Sequence, residues 1–180
     1  MLSPQHRQWL RRARAGEPAA MEQLVRAYQH RLFGYIRDSV NDNHLAEELT
    51  QQTWLRLIER LEAFEEDKFE SFLFAIAHNL VVDCFRRHER QRLEDAVPAE
   101  PVVAESAHAV VARAEISRRI AALVESLPVE QKQVVLLRYY SQLKFRQIAE
   151  LLGCPLGTVL SRMHAALQRL RTMLDEEQTT

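Results

Sequence analysis

Two short amphipathic runs meet at Gly153-Cys154-Pro155, and that junction constrains the fold more than any other part of this 180-residue chain. The first run, Lys144-Phe145-Arg146-Gln147-Ile148-Ala149-Glu150-Leu151-Leu152, offers Ile148, Ala149, Leu151 and Leu152 for packing. Ala149 is small enough to let two helices cross closely. Glycine tolerates a left-handed C-cap, so Gly153 is expected to end the first helix. On the second run Leu156, Val159, Met163, Ala166, Leu167 and Leu170 share one face. Thr158, Arg162, Ala165 and Arg169 are expected on the opposite one, with Ser161 beside them. Two such helices crossing through a glycine turn make a helix-turn-helix. An outer face that is small and polar at its start and basic further on suits a major groove. Short residues there reach base edges, and arginines meet phosphates or guanine. The competing reading is a plain helical hairpin with a solvated face.

The remainder of the chain carries the same period. Glycine numbers only 4 and proline 6, which favours helices over strands. Residues 5–14 read as a short basic helix, broken at Gly16-Glu17-Pro18. Residues 18–38 place Leu24, Val25, Tyr28, Leu32, Phe33 and Ile36 at helical spacing. The polar stretch 41–44 is a turn with capping residues. From about 45 to 62, Ala46, Leu49, Thr50, Thr53, Trp54, Leu57 and Leu61 fall on one side of a helix. Glu48, Gln51, Gln52, Leu55 and Glu59 fall on the other, so Leu55 is a candidate exposed apolar residue. Residues 63–70 read as a charged loop. A helix over 70–90 starts apolar all round, at Phe72-Leu73-Phe74-Ala75-Ile76, and ends basic. Residues 93–111 lose the period and hold Pro98 and Pro101, which marks a linker. Helices over 112–126 and 128–139 then precede the junction. The expected fold is all-α: two small helical domains, 1–92 and 112–174, joined by a flexible linker, 93–111.

The formal net charge of -1 is low for a duplex DNA binder, yet the charges are segregated. Arg7, Arg11, Arg12 and Arg14 form one basic cluster and Arg86, Arg87, Arg90 and Arg92 another. Lys144, Arg146, Arg162, Arg169 and Arg171 make a third. Acids gather at Glu47, Glu48, Glu59, Glu62, Glu65, Glu66 and Asp67. Either these are solvated helical faces, or nucleic acid and a protein partner have separate surfaces. Phe64, Phe69, Phe72, Phe74 and Phe85 lie near the second basic cluster. Basic charge beside aromatic rings holds single-stranded DNA, although most of these rings are expected in the core.

Other classes are excluded. Cys84 and Cys154 cannot define a disulfide scaffold and suit a reducing cytosol. No histidine joins them at a metal-ligand spacing, so neither metal nor cofactor is expected. Ser161 and His164 lack an acid to complete a catalytic arrangement, and there is no phosphate-binding glycine loop. An enzyme is not expected. With no signal peptide and no run approaching 18 apolar residues, the chain is expected in the cytoplasm and not in a membrane.

Taken together, the motifs resemble the extracytoplasmic-function group of the sigma-70 family, bacterial RNA polymerase initiation factors. The resemblance spans roughly residues 18–172. Leu45-Ala46-Glu47-Glu48-Leu49-Thr50-Gln51-Gln52-Thr53-Trp54-Leu55 is similar to the family's region 2.2. This implies contacts of Glu47, Glu48, Gln51, Gln52 and Leu55 with the beta-prime clamp coiled coil of core polymerase. Gln52 stands where the family usually has an acid. The stretch from Phe69 to Arg87 resembles regions 2.3 and 2.4, which open and read the minus-10 element. The preceding loop, Phe64 to Lys68, is similar to the one that captures a flipped non-template base. Minus-10 contacts are thereby implied at Phe64, Lys68, Phe72, Asn79, Asp83, Arg86 and Arg87. Phe72 replaces the usual tryptophan and His78 the usual arginine. Residues 123–140 resemble region 4.1, and 144–171 resemble region 4.2, which binds the minus-35 duplex. That implies contacts at Arg146, Thr158, Ser161, Arg162, Ala165 and Arg169. Leu160 stands where the family commonly has lysine, and Ala165 where it often has arginine.

The resemblance implies a promoter-specificity factor whose partners are core polymerase, through the clamp coiled coil and the beta flap, and promoter DNA. Many relatives are also held by an anti-sigma factor. It accounts for the net charge, because the polymerase supplies most of the assembly and the acids serve docking. The alternative is a stand-alone helix-turn-helix regulator that binds duplex DNA without core polymerase. A third reading is a structural helical module.

Overall fold

The computed structural model describes residues 2–95 and 121–179. All regular elements among them are helical, and the chain divides into two compact units, Met1–Val103 and Ala104–Thr180.

In the first unit α1 spans Pro4–Arg14, α2 Pro18–Val40, α3 Asn43–Glu59 and α4 Phe69–Asp95. Ser3 caps α1 by accepting from the His6 N–H at 3.1 Å, and Pro4 occupies the first turn, where no backbone donor is needed. Gly16, with φ +82°, turns the chain into α2. Asn41 ends α2 in the left-handed region, and Asp42 then caps α3 by accepting from Leu45 N–H at 3.0 Å. These caps start α3 slightly before residue 45. A single 3₁₀ turn, Glu66–Lys68, interrupts the charged loop before α4. The α4 helix continues to Asp95, into the stretch read as linker; the rest of 93–111, with residues 112–120, lies outside the described residues.

α2 packs against α1 and α3, and α4 against α2 and α3. Leu10, Leu24, Tyr28, Leu32, Ile36, Leu49, Leu57, Phe69, Leu73 and Phe74 are fully buried between them. Each such side chain contributes about 1.5–3 kcal/mol by leaving water. Thr50 and Thr53 are buried as well, and each hydroxyl donates to a carbonyl one turn back, Ala46 at 2.6 Å and Leu49 at 2.7 Å. Their polar groups are therefore satisfied.

In the second unit residues 121–125 are helical, α5 spans Val129–Leu136, α6 Phe145–Leu152 and α7 Leu156–Thr179. The regular helix expected to reach residue 139 stops at Leu136 and opens into a π turn, Leu137–Ser141. The buried Ser141 hydroxyl donates to the Leu137 carbonyl at 2.5 Å, and Gln142 follows at φ +57°. Gly153 closes α6 at φ +63°, with Cys154 N–H donating to Ala149 O at 3.1 Å. Val134, Leu137, Ile148, Ala149, Val159 and Ala166 form the core where α5, α6 and α7 meet.

Candidate nucleic-acid and partner interfaces

Three surfaces emerge from this scaffold. The first is the outer face of α3. Because Ala46, Leu49, Thr53, Trp54 and Leu57 turn inward, Glu47, Glu48 and Gln51 are exposed. Gln52 is half-buried and donates from Nε2 to Glu48 Oε1 at 2.9 Å, which fixes the carboxylate's orientation. Leu55 is 61% exposed and Ile58 51%. Ile58 was not singled out by periodicity, although its place three residues after Leu55 puts it on the same stripe. Two exposed branched side chains beside a carboxylate and two amides make a mixed surface of the kind that meets a protein partner.

The second surface joins the loop before α4 to the outer side of α4. Phe64 and Phe72 are both half-buried and lie face to face, 4.4 Å between ring centroids at 25°. Phe69 and Phe74 belong to the core, whereas Phe85 is 48% exposed. Lys68 projects into solvent and pairs with Glu65 at 3.0 Å. Asn79, Asp83, Arg86 and Arg87 are all exposed, at spacings that align them along one side of α4. Asp83 lies 3.9 Å from Arg86, and its carbonyl accepts from Arg87 Nε at 3.4 Å. His78 is absent from that surface. It points into the core, and burial pushes its imidazole below the ordinary range.

The N-terminal arginines correct the picture of separate charged surfaces. Arg7 donates to Asp67 at 2.8 Å and Arg11 to Glu66 at 2.7 Å. The bond from Arg11 holds the Glu66 carboxyl below the usual range, with the charges of Arg11, Arg14 and Arg7 acting the same way. Arg14 donates to the backbone carbonyls of Leu61 and Phe64, and Arg12 pairs with Glu17. Much of the first basic cluster and the acidic loop thus neutralise each other.

The third surface is the helix-turn-helix. Arg146 is exposed in the first turn of α6. On α7 the outward face differs from the expected one. Ser161 and Arg169 are exposed, but Thr158, Arg162 and Ala165 are half-buried. At roughly 100° per residue from the buried Val159, these three lie on the flank, and the side opposite the core belongs to Gly157, Ser161, His164 and Gln168. An arginine flanking a core lays its aliphatic stem along the apolar surface, which accounts for Arg162. Leu160 is 45% exposed, and Leu156 and Leu167, expected to pack, are 38% and 53% exposed.

The Cys84 thiol is buried, and burial raises its pKa, so it is poorly suited to nucleophilic work. Among the described residues no group of three or more His, Cys, Asp or Glu is placed to hold a metal ion, and no helix is long and apolar enough to cross a membrane.

Comparison with known proteins decides the family. The Sigma-70 region 2 family matches residues 24–91 and the Sigma-70 region 4 family residues 117–170. The chain is 30% identical to the ECF RNA polymerase sigma factor SigK of Mycobacterium bovis, over 92% of this chain and 91% of that protein. The chain belongs to the extracytoplasmic-function group of the sigma-70 family. This sigma factor is also 33% identical to the ECF sigma factor SigE of Mycolicibacterium smegmatis over 88% of its own length, and spans 64% of that relative. Its fold is that of the sigma factor RpoE of Bartonella quintana, solved in complex with the anti-sigma factor NepR: TM-score 0.72, 22% identity, covering 86% of this chain and 96% of that one. The all-α architecture of two subdomains holds, and members of this family are not enzymes.

Proposed function

We propose that this chain binds core RNA polymerase and directs promoter recognition, strand opening at the minus-10 element and transcription initiation in the cytoplasm. In this reading Glu47, Glu48, Gln51, Gln52 and Leu55, with Ile58, meet the clamp coiled coil of the beta-prime subunit, and the second unit meets the beta flap. Phe64, Lys68, Phe72, Asn79, Asp83, Arg86 and Arg87 engage the minus-10 element. Arg146, Thr158, Ser161, Arg162, Ala165 and Arg169 engage the minus-35 duplex, with Ser161 reaching base edges and the arginines near phosphates.

The observation that carries the reading is the outer face of α3, where Leu55 and Ile58 stand exposed among Glu48, Gln51 and Gln52. A stand-alone duplex-binding regulator has no use for that face or for the Phe64–Phe72 stack. An anti-sigma factor is a further partner under this reading, supported by the complex in which the structurally similar Bartonella quintana protein was solved.

Reconstitution tests it. Core polymerase plus this chain is expected to initiate from a promoter that core alone ignores. Tight duplex binding without core, together with no core-dependent transcript, would establish the stand-alone regulator instead.

A further inference from the structure

The loop 61–68 is held from α1, an element outside the surfaces assigned above. Arg14 donates from Nε to the Leu61 carbonyl at 2.9 Å and from a terminal nitrogen to the Phe64 carbonyl at 2.5 Å. Its guanidinium lies 5.0 Å from the Phe64 ring centroid, and its side chain is only 18% exposed. One planar, permanently charged group therefore grips both ends of a tight turn and one face of a ring. Arg7 and Arg11, one helical turn apart, take Asp67 and Glu66. The α1 helix is itself fastened to the body of the unit. Leu10 and Ala13 are buried, and His6 Nδ1 meets the Tyr28 hydroxyl at 2.8 Å.

The loop has four carboxylates, Glu62, Glu65, Glu66 and Asp67, against the single cation Lys68. That balance repels a phosphate backbone. The α1 arginines offset it at Glu66 and Asp67.

We propose that α1 is the positioning element of the base-capture loop: Arg14 presents the Phe64–Phe72 stack to an unpaired base, and Arg7 with Arg11 neutralises the carboxylates beside it. This rests on the reading of the loop as a single-strand site.

The test uses the full chain assembled with core polymerase. The probe is a single-stranded oligonucleotide carrying the non-template minus-10 segment of a promoter the holoenzyme opens, with each base replaced in turn by an abasic site. With the unmodified chain, one abasic position is expected to weaken binding about tenfold, the size of a lost base–aromatic stack. In R14A, and in the double variant R7Q/R11Q, the intact oligonucleotide is expected to bind about tenfold more weakly. The abasic penalty at that position should disappear in R14A, which loses the grip on Phe64, and persist in R7Q/R11Q, which loses only charge neutralisation, while affinity for core stays the same in both. R14A keeping the full abasic penalty, or R7Q/R11Q binding the intact oligonucleotide as tightly as the unmodified chain, would overturn the role of α1. No abasic penalty at any position in the unmodified chain would instead overturn the base-capture reading, and this proposal with it. Should R14A fail to fold, R14K decides on the same readout, because it keeps the positive charge but not the planar group that reaches both carbonyls.

Discussion

The Tyr35 hydroxyl meets His78 Nδ1 at 2.9 Å in the interior of the first unit, where both side chains are buried. Desolvation disfavours the charged imidazole and lowers its pKa. The unfolded chain takes up this proton near the ordinary value of about 6.5, and the folded chain only at lower pH. The stability gained by keeping the ring neutral is therefore complete above that value and is lost as pH falls through the folded pKa. His6, also lowered chiefly by burial, acts in the same direction. The urea midpoint of the first unit is expected to drop between about pH 7.5 and about pH 5.5, and to drop less in His78→Gln. Equal drops in both proteins would contradict this account.

Glu48 is exposed and its carboxylate is oriented by Gln52. Glu48→Lys reverses its charge without touching the core. Affinity for core polymerase, read by titration with a labelled core, is expected to weaken about tenfold or more, at an unchanged unfolding midpoint. Unaltered affinity would remove the α3 face from the proposed interface.

Leu160 is 45% exposed on a flank of α7 and brings no charge there. Leu160→Lys is expected to add one phosphate contact. Binding of the holoenzyme to the minus-35 duplex should then tighten at low salt, and the slope of log K against log salt should steepen by about 0.9. A slope identical to that of the unmodified protein would show that this position does not face the backbone.

At Gly153 a Cβ would meet nothing within 4 Å, so only the backbone at φ +63° resists substitution. Gly153→Ala is expected to cost about 1 kcal/mol and lower the melting temperature of the second unit by about 4–8 °C. Gly153→Asn should cost less, since asparagine visits the left-handed region more readily. Calorimetry of the full chain checks both, and an Ala variant melting with the unmodified protein would refute the strain argument.

Local features were readable from the residues themselves. The spacing of Leu24, Tyr28, Leu32 and Ile36 marks the buried stripe of α2, and Gly153 marks the turn, because periodicity and a positive φ are set within a few residues. The exposed face of α3 followed from the same arithmetic, short of Ile58. Contacts across sequence were not readable. Arg7 and Asp67 are 60 residues apart, and nothing in the local pattern of either tells which acid an arginine will find. The outward side of α7 was placed too far round, because Arg162 and Thr158 are polar by type yet half-buried beside the core. His78 shows the same limit, since a core histidine and a surface one look alike until the Tyr35 hydroxyl is seen beside it.

The family match in the first unit begins at residue 24, whereas the side chains that hold the loop belong to α1, Pro4–Arg14. A graft that exchanged only residues 24–91 between two relatives would carry the loop away from its own anchors, leaving Glu66 and Asp67 to face foreign side chains. Chimeras meant to transfer promoter preference from this chain therefore need their junction upstream of Pro4.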